Sequence, residues 1–213
     1  MNEKLENKLV ELFEGLFEPG DPSHDLQHTL RVLEKSKYIS KMEGADLDIT
    51  VPASIFHDLV VYPKNDPKDK MSAAHSAKKA GELLGELEEF PANKIDAVKH
   101  AVECCSFNHG KDPETLEAKV VRDADLLEAT GVIAVMRTFS YSGKISRPFY
   151  DPKDPFAENR DLDDIKYSLD LFYTRLLKIG DHVVTPTAKK MVARREDFLK
   201  HFIEELKLEL QGR

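Results

Sequence analysis

The spacing of apolar residues constrains the fold more than any other feature of this sequence. Leu5, Leu9, Leu12, Phe13 and Leu16 recur at intervals of three and four residues, which places them on one face of a helix. The same spacing returns through most of the 213 residues, and we find no convincing alternation of apolar and polar residues that would indicate a strand. The sequence therefore predicts an all-α fold, a single-domain bundle of roughly nine or ten helices.

Prolines and polar runs indicate where helices begin and end. Pro52 is placed to open a short helix, and Thr185 with Pro186 has the N-cap and N1 pattern of the last helix. Residues 142–160 contain three prolines and no helical period. Unstructured loops of that length tend to be functional or disordered, so we expect residues 142–160 to form a lid.

Three apolar helical segments each contain ionisable residues. His28 lies in SHDLQHTLRV, His57 and Asp58 lie in SIFHDLVVY, and Asp123 and Asp125 lie in VRDADLLEAT. Burying separate ionisable groups is costly unless they pair with one another or bind a cation. One shared metal ion, held by two imidazoles and two carboxylates, would satisfy all three segments. Because adjacent side chains on a helix point about 100° apart, His57 and Asp58 can reach one ion only near a helix end.

In this order and with these intervals, the three segments resemble the HD-domain superfamily of metal-dependent phosphohydrolases, in particular a small bacterial branch of predicted HD-superfamily hydrolases. The motifs HDLQHTLRV, EGAD, HD, SA, DADLLEA and ARREDFLKHFIEEL cover nearly the whole chain. The resemblance implies that His28, His57, Asp58 and Asp125 are metal ligands, with Asp123 as the alternative to Asp125 if the register slips by two residues. It implies one divalent metal ion, and Mn, Fe, Ni, Co and Mg all stay open.

The sequence departs from the family pattern in two places. CSF, beginning at Cys105, stands where the family often has HSF, and Leu126 replaces the arginine of ADRL. The first departure puts a second metal ion or a phosphate-binding imidazole at that position in doubt.

The resemblance implies hydrolysis of a phosphate ester or anhydride, in a nucleotide or another small molecule. His57 and Asp58 are the expected catalytic residues, Asp58 as a ligand that also orients water, while Asp123 and Glu128 are the nearest candidates for a proton acceptor. The candidate substrate-binding residues are chosen on charge and position: His24, Arg31, Arg122, Lys144 and Arg147. For His24, a place in a helix N-cap cluster is the alternative. The expected order along the single HD domain is a metal-site core at about residues 20–130, the lid at 142–160 and C-terminal helices at 160–213.

Two other functions use the same scaffold. A metal-containing nucleotide-binding or sensor module would keep the pocket without turnover, and an activity assay distinguishes it from an enzyme. A di-iron oxygenase of the HD fold would need more histidine and aspartate ligands than a single-metal site, so the missing HSF histidine weakens that alternative.

Composition restricts the partners and the compartment. The net charge of −8 at pH 7 argues against nucleic-acid binding, which needs a basic face to neutralise phosphates. The two cysteines are adjacent, which fits a reducing compartment. There is no signal-peptide pattern and no stretch near the ~18 apolar residues of a membrane span. We therefore expect a cytoplasmic protein that is a monomer or a homodimer. Its expected partner is a small phosphorylated substrate, most readily a nucleotide, and not nucleic acid or a membrane.

Overall fold

The computed structural model describes residues 1–16, 25–62, 66–106 and 111–213. Within these ranges it contains nine α-helices and no β-strand, which confirms the all-α prediction. None of the helices in these ranges is both long and apolar enough to cross a membrane. The chain forms two compact units, Met1–Asp125 and Leu126–Arg213.

The first unit contains six helices, the last of which crosses its boundary by one residue. They are α1 (Glu3–Leu16), α2 (Leu26–Glu43), α3 (Leu47–Phe56), α4 (Ser72–Gly85), α5 (Ile95–Glu103) and α6 (Leu116–Leu126), with short 3₁₀ turns at Pro67–Met71 and Ala92–Lys94.

Local hydrogen bonds explain the limits of α2 and α3. The Asp25 side chain caps α2, and Gly44 ends it in the left-handed conformation at φ 78°. The Asp46 carboxylate starts α3 by accepting a hydrogen bond from the backbone N–H of Asp48. The prediction that Pro52 opens this helix is wrong, because Pro52 lies inside α3, which the Asp46 cap has already begun.

Helix α3 lies at the centre of the first unit and packs against α1, α2, α4 and α5. Its Val51, Ala53, Ile55 and Phe56 side chains are buried in one hydrophobic cluster. Each of these apolar side chains contributes about 1.5–3 kcal/mol when fully removed from water, except the smaller alanine. The packing therefore fixes the position of the C-terminal end of α3, where the HD dipeptide begins.

The second unit contains α7 (Gly131–Lys144), α8 (Asp170–Thr174) and α9 (Pro186–Leu210), with 3₁₀ turns at Leu127–Ala129 and Leu176–Asp181. The Thr185 side chain accepts a hydrogen bond from Ala188 N, and Pro186 is the first residue of α9, as predicted. Leu169, Phe172 and Leu199 are fully buried in the core of this unit.

The expected loop at 142–160 differs from the structure in two respects. Helix α7 extends to Lys144, so the first three residues of the expected loop, 142–144, are helical. The irregular chain that follows is fastened to its own unit rather than structureless: Leu169 N donates to Phe149 O at 2.8 Å, and Tyr167 Oη donates to Asp151 Oδ2 at 2.6 Å. These contacts join residues 16 to 20 positions apart, which local periodicity does not reveal.

A buried ion pair completes the anchoring of this segment. Asp170 is fully buried, and its carboxylate accepts hydrogen bonds from both terminal nitrogens of Arg160, at 2.5 and 2.8 Å. It accepts a third from Asp163 N at 2.7 Å. The charge of Asp170 is therefore compensated inside the second unit.

Candidate metal centre

Two helix termini position the histidines of the candidate site. His28 lies in the first turn of α2, where its backbone N–H donates to the capping Asp25 carboxylate at 2.7 Å. His57 directly follows the last residue of α3. Since α3 stops at Phe56, His57 and Asp58 need not diverge as they would within a helix.

The two imidazoles and two carboxylates lie close together within the first unit. His28 Nε2 is 3.2 Å from His57 Nε2, 3.4 Å from Asp125 Oδ1 and 3.7 Å from Asp58 Oδ2. His57 Nε2 is 3.3 Å from Asp58 Oδ2 and 4.0 Å from Asp125 Oδ1. Among the residues whose positions are described, His28, His57 and Asp125 are the group of ionisable side chains whose ligand atoms could hold a metal ion.

The separations among His28, His57 and Asp125 fit a shared metal ion, and Asp58, which is outside that group, has Oδ2 within 3.7 Å of both imidazoles. Two ligand atoms bound to one ion at 2.0–2.2 Å lie about 3.0–3.5 Å apart when they are neighbours and about 4.2 Å apart when they are opposite. Four of the five measured separations lie at 3.2–3.7 Å, and the fifth is 4.0 Å. Two nitrogens and two oxygens are a ligand set for Mn²⁺, Fe²⁺, Co²⁺, Ni²⁺ or Zn²⁺.

The orientation of His57 leaves one ring nitrogen for the site. Its Nδ1 lies 2.7 Å from the carbonyl oxygen of Ser54, one turn back in α3. A carbonyl can only accept a hydrogen bond, so Nδ1 carries the proton and donates it. In the neutral ring the lone pair is then on Nε2, the nitrogen that faces His28 and the carboxylates.

Charge in the site favours a cation. Burial by itself lowers the pKa of His57, but the negative charges of Asp58 and Asp125 outweigh it and raise this pKa to about 9. Without a metal ion, the two carboxylates therefore attract a proton to the imidazole. A divalent ion would supply that positive charge instead.

The cluster is closed on its histidine side and open on its carboxylate side. His28 is 1% exposed and His57 4%, whereas the side chains of Asp58 and Asp125 are 27% and 30% exposed. A ligand from solution would therefore reach the site past the two aspartates.

Asp125 rather than Asp123 lies beside the imidazoles. Asp123 is fully buried and has its own polar interactions in the fold. Glu128, the other candidate proton acceptor, belongs to the second unit, where it is also fully buried and lies 4.0 Å from Arg137.

Cys105 occupies the position where the family often has a histidine. Burial raises the pKa of this thiol well above its ordinary value, and the charges of Asp125 and Asp58 raise it further. Cys105 is therefore a neutral thiol at neutral pH. The nearby positive charge of Arg122 acts in the opposite direction on the same pKa.

The predicted substrate-binding residues are divided between the two units. Arg31 is half-buried on α2, three residues after His28, and Arg122 is half-buried on α6. In the second unit, Lys144 is exposed, and the Arg147 guanidinium donates to Ser142 Oγ at 3.2 Å and to the Asp164 carbonyl. His24 lies outside the described residues.

Sequence reasoning missed the residues that support the ligands. The Ser54 carbonyl orients His57, and the Ser76 hydroxyl bonds the backbone of Val60, two residues after Asp58. A backbone carbonyl has no sequence signature. The SA motif occurs at both Ser72 and Ser76, and the motif alone specifies neither the residue nor its partner.

Comparison with known proteins agrees with this geometry. Residues 25–130, which contain all four candidate ligands, match the HD domain family. The chain is 29% identical to the protein YpgQ of Bacillus subtilis over 196 residues, which are 89% of this chain and 85% of YpgQ.

Solved structures share the fold over the whole length. An HD-superfamily hydrolase from Bacillus thuringiensis superposes with a TM-score of 0.74 at 26% identity, over 99% of each chain. B. subtilis YpgQ, solved in complex with ADP, superposes with a TM-score of 0.73 at 24% identity, over 97% of this chain and 95% of that one. With its HD domain at residues 25–130, the chain belongs to the HD superfamily of hydrolases.

Proposed function

We propose that this protein is a metal-dependent phosphohydrolase that acts on a nucleotide. The observation that carries the proposal is the convergence of Asp58 and Asp125 on the two imidazoles: their carboxylate oxygens lie 3.3–4.0 Å from His28 Nε2 and His57 Nε2, which are 3.2 Å apart. The ADP bound by the related YpgQ supports a nucleotide as the substrate class.

The proposed ligands have distinct tasks. His28 and His57, which are buried, and Asp58 and Asp125, which are partly exposed, would hold the ion. When bound, the ion would polarise a phosphoryl oxygen and lower the pKa of bound water toward about 7. Asp58, partly exposed at 27%, also accepts a hydrogen bond from the attacking water and orients it toward phosphorus. Asp123 and Glu128 are fully buried, so Asp58 is the better placed of these carboxylates to contact that water.

Cations are needed to bring phosphates to a site that contains two carboxylates. A divalent ion cancels the two negative charges of Asp58 and Asp125, and further positive groups must compensate the phosphates. Arg31 and Arg122 are the predicted residues that lie in the same unit as the ligands. We propose that they contact the substrate phosphates.

A phosphate-release screen tests the function. The purified protein, stripped of metal, is incubated with nucleoside mono-, di- and triphosphates and with Mn²⁺, Mg²⁺, Co²⁺ or Ni²⁺ in turn. A coupled pyrophosphatase assay detects release of pyrophosphate as well as phosphate. We expect hydrolysis of at least one nucleotide that depends on the added ion and stops with chelator.

Variants connect the activity to the site. His57→Ala and Asp58→Ala should each abolish metal content and hydrolysis while circular dichroism retains the helical content. His201→Ala is the control, because His201 lies on α9 with a side chain 67% exposed. Full activity in both site variants would refute the proposal. ADP binding without turnover of any nucleotide would indicate the sensor module instead.

A further inference from the structure

The chain between Asp58 and Tyr62 is held by a serine of another helix. Ser76, on α4, is fully buried. Its hydroxyl oxygen accepts a hydrogen bond from Val60 N at 3.0 Å, and the same hydroxyl donates to Val60 O at 3.2 Å. One side chain thus satisfies both backbone polar groups of a residue that lies outside any helix.

A second serine extends this anchoring. Ser72, one turn before Ser76 on α4, accepts a hydrogen bond from Tyr62 N at 3.3 Å. We call Ser72 and Ser76 the serine clamp. Helix α4 packs extensively against α5, and the Lys99 side chain lies directly over Gly81. Both serines of the clamp therefore lie on a helix that is packed against another helix, and not on a loop.

The two halves of the HD dipeptide have different supports. His57 is oriented from within α3, through its bond to the Ser54 carbonyl. Asp58 lies beyond the end of α3, where the hydrogen bond from Leu59 N to Phe56 O, at 3.3 Å, ties the backbone to the last residue of that helix. After Asp58, the chain is next bonded to another helix where the backbone of Val60 and Tyr62 meets the hydroxyls of the serine clamp on α4.

We propose that Ser76, assisted by Ser72, is a positioning residue for Asp58. The inference rests on the proposed function, in which Asp58 is a metal ligand. Ser76 touches neither metal nor substrate, and acts through the backbone of Val60 by holding the chain so that the Asp58 carboxylate faces His57. Groups that orient metal ligands typically contribute about 10- to 100-fold to metal affinity.

The alternative is that Ser76 only stabilises the fold. Ser76→Ala would in that case lower thermal stability while leaving metal affinity unchanged in the protein that remains folded. Ser40 supplies the matched control, since its buried hydroxyl bonds Thr50 Oγ1 at 2.8 Å between α2 and α3. Ser40→Ala removes a buried serine hydroxyl of the same unit that has no contact with the HD dipeptide.

The experiment measures binding of Mn²⁺ alone to the metal-stripped full chain, by calorimetry and by paramagnetic resonance of free Mn²⁺. Ser76→Ala should bind Mn²⁺ about 10- to 100-fold more weakly than wild type, while Ser40→Ala binds it as wild type does. In an Asp58→Asn background, Ser76→Ala should cause no further loss, because a positioning residue has no effect without the residue that it positions. Ser76→Thr, which keeps the hydroxyl, should restore most of the affinity.

The results separate the clamp from the proposed function. Wild-type Mn²⁺ affinity in Ser76→Ala, or an equal loss with and without Asp58, would overturn the positioning role alone. If the wild type binds none of Mn²⁺, Mg²⁺, Co²⁺ and Ni²⁺, the proposed function fails and the positioning role fails with it. If it binds one of the others but not Mn²⁺, that ion replaces Mn²⁺ as the probe in the same comparison. If Ser76→Ala does not fold, Ser72→Ala takes its place. A loss of metal affinity that occurs when Asp58 is present, but not in the Asp58→Asn background, supports the clamp. Unchanged affinity overturns it.

Discussion

Asp123 and Asp125 are two residues apart on α6 and should respond oppositely to the same substitution. Asp125 is 30% exposed, with Oδ1 3.4 Å from His28 Nε2, while Asp123 is fully buried among interactions of its own. We expect Asp125→Asn to weaken metal binding with little effect on the metal-free fold. We expect Asp123→Asn to destabilise the metal-free fold and to leave the metal response intact.

The magnitudes follow from linkage between binding and folding. At a free Mn²⁺ concentration 100 times the wild-type Kd, the ion stabilises the wild-type protein by about 2.7 kcal/mol. Loss of a charged ligand should weaken binding at least as much as loss of an orienting group, by about 100-fold or more. The same Mn²⁺ concentration would then stabilise Asp125→Asn by about 0.4 kcal/mol or less.

The metal-free proteins should show the reverse pattern. A partly exposed carboxylate contributes about 0–1 kcal/mol through its ion pairs, so Asp125→Asn with chelator should unfold close to wild type. Disturbing the polar interactions of a buried carboxyl costs about 1–3 kcal/mol, and this loss should appear for Asp123→Asn with and without Mn²⁺.

Urea unfolding of both variants, each with excess chelator and with Mn²⁺, measures the four free energies of unfolding that are needed. The midpoint shift caused by Mn²⁺ is the quantity to compare, since each protein is its own reference. A full Mn²⁺ shift in Asp125→Asn together with a lost shift in Asp123→Asn would refute the ligand assignment and move it by two residues.

Other predictions concern the rest of the molecule. Arg160→Ala should lower the free energy of unfolding by about 3–5 kcal/mol, because it leaves the buried Asp170 carboxylate without its guanidinium; a loss below 1 kcal/mol in urea unfolding would contradict this. Cys105 should not react with a thiol reagent such as DTNB at neutral pH until urea unfolds the protein, since burial raises its pKa; rapid modification of the native protein would show an accessible thiolate. If residues 142–160 act as a lid, Lys144→Ala should raise KM for a phosphorylated substrate severalfold without changing thermal stability, and adding Arg147→Ala should raise KM further. If KM does not change, and hydrogen exchange in the segment does not slow when ligand binds, the segment is only a connector.

The sequence predicted the all-α fold because helical periodicity is a local property. Of the four ligands that the family resemblance implies, His28, His57 and Asp125 form one close group in the structure, although nearly a hundred residues separate the first from the last. Their role as metal ligands stays a prediction. Local rules failed where two of them competed. Pro52 is a good first residue of a helix, but the Asp46 side chain offers a cap six residues earlier and α3 begins there.

The predicted lid shows a different limit of sequence reasoning. Its prolines and missing periodicity describe the absence of regular structure correctly after Lys144. They carry no information about the bonds from Tyr167 to Asp151 and from Leu169 to Phe149. Such tertiary bonds join residues that no short pattern connects, and backbone groups supply several of them.

The end of α3 at Phe56 has a consequence for which changes the chain can tolerate. An α-helix advances about 1.5 Å and turns about 100° with every residue, and α3 runs from its Asp46 cap to His57 without interruption. Inserting or deleting one residue in α3 would therefore turn His57 away from His28 even if the helix remained stable. Natural variants that keep this site are expected to differ from this chain in the composition of α3 but to retain its residue count.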